Sequence, residues 1–598
     1  MIAIAIGVAA VLAAAAGLLG LGLVPLWVVA LVAGVLALAA RIPRTLALAL
    51  GIGGFLALEL GLLMLTPLIG VGMTVPHVAV FVVVSGASAV ALRRASVGSV
   101  LGGPGGPMLA FAPFVGAGLF LATMALSQVL PGALRLAWAM NGDTVNAMLF
   151  SRFMLDAGGI DQVAVPQPTP LPFGMAAANM ESGRAGLPDA ALLEHDVART
   201  AQVWVLLIAL ICVLVGVVVA RAARGASRGW AVSVTAVASA APLIWYVVGV
   251  QFEFGFMNSS FAMVLLLAAW LAYLGGRSQP VLALVGLFVV ALGLLAVWSP
   301  LVICVAPLGL VLLVARWREL RQTPARVLLA AALAPVAFLA YAVLVTVPTF
   351  LAQSEALGSD GGFPEITDSQ ILVIIAATVL AIVVAWQRLG GDAPSGALAV
   401  LIGFSIGLGY LLLQRQGAVF GWGYYPAKFA WTTSILLLTI AASFVVAVIA
   451  DSSSRGRARA VLTVAAGAAL ASLMWGPVLP TAQLPLPRIL TGTAFDNQNA
   501  AADIVFELSG AENGQDMLWR TSVGDRWPNS WLLQVDVPDA ATNPVRIYAF
   551  VPQLSAQQVC EVAGGLPGIT IHTSDPAAEA DLAATCPDAD YSVEVGSY

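Results

Sequence analysis

The sequence predicts a polytopic α-helical membrane protein of about 15 spans, followed by a small extracytoplasmic α/β domain. Three observations carry that expectation. Sixty per cent of the 598 residues are hydrophobic and ten per cent are charged, and mean hydropathy is +0.96, values outside the range of soluble globular chains. Apolar runs near the ~20 residues that cross a bilayer as a helix recur up to residue 479. Beyond Pro480 the chain turns polar and stays so.

The spans fall at roughly 2–19, 23–40, 45–67, 77–92, 108–130, 202–220, 230–250, 259–275, 280–298, 300–315, 327–349, 370–386, 397–413, 431–450 and 460–479. The start, Met1-Ile2-Ala3-Ile4, has no charged n-region and reads as a first span rather than a cleaved signal. Charge bias orients the set. With the N-terminus cytoplasmic, 16 of the 26 basic residues collect in short cytoplasmic segments. The outer face then carries a large loop at 131–201, an acidic loop at 351–369 and a third loop at 414–430. This gives a transmembrane domain over 1–480 and a soluble outer domain over 481–598. The location is a plasma membrane, the immediate partner is the lipid bilayer, and a net charge of −5 suggests no nucleic acid.

In the outer domain, 545–550 and 569–572 read as strands, and 555–562 and 577–584 as short helices. Cys560 and Cys586 are its only cysteines and are expected to form a disulfide. Cys212 and Cys304 lie inside spans as small apolar residues.

Candidate chemistry collects on the outer face. Lys428 is the chain's single lysine among 25 arginines. A compact ammonium kept in an arginine-writing sequence points to work that a planar guanidinium does poorly. Asp143 follows the helix-breaking Asn141-Gly142 and precedes an apolar-periodic run, Val145, Met148, Leu149, Arg152 and Phe153, that reads as a surface helix. Two readings stand together for Asp143: an N-cap accepting from the helix backbone, and a carboxylate placed to act as a base.

Asn141-Gly142-Asp143-Thr144, Arg152 and Gly158-Gly159-Ile160-Asp161, with Tyr424-Tyr425-Pro426-Ala427-Lys428, resemble the outer-loop elements of the GT-C superfamily of membrane glycosyltransferases. The layout is similar to that of actinobacterial cell-wall arabinofuranosyltransferases. In this chain the acidic loop element follows the fifth span, and no second acid forms Asp-x-Asp beside Asp143. The resemblance implies transfer of a sugar from a polyprenyl-phosphate donor to a cell-envelope glycan acceptor, with inversion. Asp143 would be the general base. Lys428, Tyr424 and Tyr425 would stabilise the leaving phosphate, and Arg135 and Arg152 would either hold that phosphate or anchor lipid headgroups. Asn141, Trp138, Glu253 and Trp422 would face the substrate cavity, although an interfacial belt is the more common role for the two tryptophans and Glu253 reads as readily as a solvated loop acid. No cofactor is expected, a divalent metal included.

Other polar groups read as follows. Glu59 lies inside a span, where an ionisable group implies function or a partner. His77 and His572 are isolated. Glu194-His195-Asp196 reads as solvated loop, and Asp588-Ala589-Asp590 as a turn rather than a metal site. Two other functions compete with the transferase: a carrier or flippase for lipid-linked saccharides, and a scaffold whose outer domain binds glycan through Trp519, Trp527 and Trp531.

Overall fold

A computed structural model of the chain describes residues 2–93, 106–162, 167–352, 368–388, 391–418, 422–451, 485–492, 498–510, 515–537 and 543–598. Among these, eleven helices are long and apolar enough to cross a membrane, and two shorter apolar helices, Ile2–Leu18 and Val24–Ala39, precede them. The chain is a multi-pass helical membrane protein. The expected fifteenth span and Glu355, Asp360 and Glu365 of the acidic loop lie outside the described residues.

Expected helix boundaries shift where the chemistry demands it. The pair expected at 280–298 and 300–315 becomes Pro280–Trp298 and Val302–Ala315, joined by a short 3-10 turn at Ser299–Leu301. Trp298 leaves helical geometry (φ −167°, ψ 96°), and the two helices pack against each other. Proline at 300 suits the first turn of the new helix, where its missing N–H costs nothing. The region 189–201, expected as loop, is instead the start of the 34-residue helix Asp189–Ala222. Glu194, His195 and Asp196 are therefore helical. Asp196 is fully buried between Arg152 (2.9 Å) and Arg184 (3.2 Å), and His195 Nε2 lies 2.9 Å from the Met180 carbonyl. The solvated reading fails for Asp196 because two guanidiniums replace its water.

Glu59 also has its partner. His77 Nε2 sits 2.9 Å from Glu59 Oε2, both side chains are fully inaccessible, and His77 Nδ1 lies 2.6 Å from the Met73 carbonyl. His77 is thus not isolated. The helix that carries Trp27, Val24–Ala39, packs against the helices bearing both residues.

Segments expected on opposite faces sort to opposite ends of the bundle. At one end Arg221 donates to the Leu274 carbonyl (3.0 Å), and Arg316 pairs with Asp392. At the other end, residues from 143–173, 255–258, 298–300, 349–350 and 424–428 line one cavity.

The C-terminal region contains a three-stranded parallel sheet in the order β1 (Asp516–Leu518), β2 (Ile569–Thr573) and β3 (Tyr591–Val595). Helix Ala556–Gly565 begins with a capping box, Ser555 to Gln558, and helix Ala578–Thr585 follows β2. Residues 545–550 are not a strand. Asn543 accepts from the Val545 N–H and Pro544 opens a 3-10 turn, Pro544–Tyr548, so a local cap overrides the β-branched composition. Cys560 and Cys586 are joined by a disulfide.

Candidate active site

Two glycines seat Asp143. Gly142 (φ +54°) and Gly255 (φ +69°) lie in turns that pack backbone against backbone. A Cβ at Gly142 would come within 2.3 Å of the Phe254 carbonyl oxygen, and one at Gly255 within 2.1 Å of the Asn141 oxygen. Only glycine permits both the left-handed backbone and this approach. The Asp143 N–H then donates to the Phe254 carbonyl (2.9 Å), and helix Thr144–Asp156 begins at the next residue. The Asp143 side chain makes no capping bond to that helix. Its carboxylate is committed elsewhere.

It meets the first turn of helix Tyr424–Asp451. The Tyr424 hydroxyl donates to Asp143 Oδ2, and Lys428 Nζ donates to the Tyr424 hydroxyl (2.7 Å) and lies 3.6 Å from Asp143 Oδ2. Residues 424 and 428 are one helical turn apart, so a single helix face presents both groups. The ammonium also sits 4.1 Å above the Phe256 ring, whose face attracts a cation. This cage of ring and hydroxyl fits a point charge better than a guanidinium plane. Lys428 is almost inaccessible (4 %), whereas Asp143 is 37 % exposed. The carboxylate therefore faces the void and the ammonium backs it.

That void is a cavity of about 470 Å³. Asp143, Tyr424, Tyr425 and Lys428 form one side. The remaining described lining mixes neutral polar groups (Asn146, Gln167, Thr169, Asn258, Ser299) with apolar and aromatic ones (Phe150, Phe173, Met257, Trp298). Asp143 and Lys428 are its only charged residues among those described.

The other expected site residues lie elsewhere. Arg152 pairs with Asp196 and donates to the Val535 carbonyl (3.2 Å), which ties the surface helix to the C-terminal region. Arg135 is exposed and lies outside the described cavity lining. Trp138 is a core residue, packed on Trp204 (5.7 Å) and Phe252 (4.8 Å) between ring centroids, so neither sugar stacking nor an interfacial belt describes it. Asn141 and Glu253 border a separate void of about 30 Å³ with Arg488 and Gln498. Trp422 is partly buried against the helical core. Gly158-Gly159 ends the surface helix and docks it: a Cβ at Gly159 would lie 2.4 Å from the Leu63 carbonyl oxygen, and the Ile160 N–H donates to that same carbonyl (2.7 Å). Trp519 and Trp531 are fully buried and Trp527 donates to Asn141, so these three side chains are engaged within the fold.

Sequence reasoning missed three contributors: Phe256, Gly255 and the polar cavity wall at Asn146, Gln167 and Thr169. A turn glycine following Phe254 was the one available signal for the first two. Among the described residues, no group of three or more His, Cys, Asp or Glu side chains is placed to hold a metal ion. Comparison of the chain with protein-family models and with curated proteins finds no match to either.

Proposed function

We propose that the chain is a membrane glycosyltransferase that moves a sugar from a polyprenyl-phosphate donor to a cell-envelope glycan, at the outer face of a plasma membrane. The observation that carries this reading is the Asp143–Tyr424–Lys428 chain of contacts on one wall of the 470 Å³ cavity. The arginine bias of the opposite loops supports placing that end outside.

In this reading the acceptor hydroxyl oxygen attacks the anomeric carbon from the face opposite the phosphate. The bond from that carbon to the phosphate oxygen breaks, its electron pair stays on the phosphate, and polyprenyl phosphate leaves. The hydroxyl proton passes to Asp143. Lys428 and the Tyr424 hydroxyl donate to the phosphate as its charge grows. These same donors face Asp143 in the structure. An arriving phosphate competes for them and leaves the carboxylate free for the acceptor. One ammonium matches the single charge of a phosphodiester donor, and the neutral amides and hydroxyls opposite suit sugar hydroxyls.

The test is glycan transfer in reconstituted membranes with a panel of polyprenyl-phosphate sugars, comparing wild type, Asp143→Asn and Lys428→Arg. Transfer by wild type that is lost in folded Asp143→Asn supports the reading. Undiminished transfer in both variants removes these residues from the chemistry. No transfer from any donor shifts the assignment to a carrier of lipid-linked saccharides.

A further inference from the structure

Asn141 stands two residues before Asp143, yet its side chain points away from the large cavity into three hydrogen bonds. Nδ2 donates to the Phe252 carbonyl (3.1 Å), and Oδ1 accepts from Gln498 Nε2 (2.9 Å) and Trp527 Nε1 (3.2 Å). An indole nitrogen only donates and a carbonyl only accepts, so the amide has one possible orientation. The residue is 8 % exposed, and its three protein partners replace water.

Its neighbours are gripped from the same side. Gln498 Nε2 also donates to the Ala137 carbonyl (2.7 Å), Trp531 Nε1 donates to the Met140 carbonyl (3.0 Å), and Gln534 Nε2 donates to Asn146 Oδ1 (2.6 Å). Four residues from 498–534 thus hold the turn that delivers Asp143. The short helix Val250–Phe254 holds it from the other side, through Asn141 and through the Asp143 N–H.

We infer that Asn141 is a positioning residue that fastens the Asp143 turn to both the short helix Val250–Phe254 and the C-terminal region, which makes that region a working part of the site. The inference rests on Asp143 acting as the base. Asp143 lacks a capping bond to its own helix, and once a phosphate draws Tyr424 and Lys428 away, its aim depends on the backbone beneath it. A misplacement of about 1 Å costs on the order of a hundredfold in rate.

The test uses the full chain in nanodiscs, comparing wild type with Asn141→Ala, Asn141→Asp and Gln498→Leu. Asn141→Asp keeps the shape but sets a carboxylate oxygen against the Phe252 carbonyl. Hydrogen exchange is followed over 137–150 and, as an internal control, over 424–451. The expected result is faster exchange in the first segment alone, with kcat reduced about a hundredfold and donor KM unchanged. A general loss of folding would move both segments and KM together, and that outcome overturns the assignment. Unchanged exchange over 137–150, or unchanged kcat in a variant with loosened exchange, overturns it as well. A wild type that transfers no sugar sinks the glycosyltransferase reading alone, because the exchange measurement still decides whether Asn141 and Gln498 hold the turn.

Discussion

Glu59–His77 and Asp143–Lys428 are two acid–base pairs of the helical region with opposite settings. Glu59 and His77 touch at 2.9 Å with both side chains fully inaccessible. Asp143 and Lys428 lie 3.6 Å apart with the acid 37 % exposed on a large cavity. A pair closed off on all sides holds one arrangement of helices, whereas in the proposed function a carboxylate open on one side and backed by a buried lysine is placed for chemistry. Access separates the two roles more sharply than distance does.

The largest expected effect is at the open pair. Asp143→Asn should lower transfer by about 10²–10⁴-fold, with a melting transition close to wild type, as measured by turnover and thermal unfolding of the same preparation. A melting point that falls with activity would make the open pair structural and erase the contrast. Lys428→Met should follow with a loss of about 10²–10³-fold, read as kcat rather than KM.

At the closed pair the expected signs reverse. Glu59→Ala strands His77 and should cost about 3–5 kcal/mol of stability, while folded molecules keep their turnover. The double variant Glu59→Leu/His77→Leu should recover much of that loss, because it removes both desolvated groups at once. Normal stability with lost turnover in Glu59→Ala would place this pair in the function instead.

Asp536 provides an intermediate case at the domain junction. Burial pushes its carboxyl up to about 6 from an ordinary value of 3.8, against the pull of Arg152 and a bond from the Gly510 N–H. The folded state therefore holds this proton more tightly than the unfolded chain. Its stabilisation is complete below about pH 4 and disappears as pH rises through about 6, a swing of up to about 3 kcal/mol. Unfolding of the C-terminal region followed from pH 4 to pH 8 should show this slope in wild type and lack it in Asp536→Asn.

Long apolar runs made the spans legible, and arginine asymmetry sorted the loops into the two groups that meet at opposite ends. Lys428 and Asp143 were legible because each is locally odd: a lone lysine, and an acid after Asn-Gly. What could not be read was which side chains meet across long separations. Nothing local marks Gln498 or Trp527 as partners of Asn141, since glutamine and tryptophan serve equally on surfaces and in cores. His77 gave no sign of pairing with Glu59, because His77 lies in the first turn of its helix and Glu59 well inside its own. The false strand at 545–550 shows the converse, a local cap at Asn543-Pro544 outweighing composition.

The brace on the Asp143 turn also sets an order of events during synthesis. Asp143 and Lys428 both leave the ribosome before Gln498, Trp527 and Trp531. A nascent chain at that stage carries its acid and its cation but lacks the contacts that aim the acid. In the proposed function, transfer competence therefore waits for residues 498–534, and a chain whose helices have already inserted remains idle until that segment has docked.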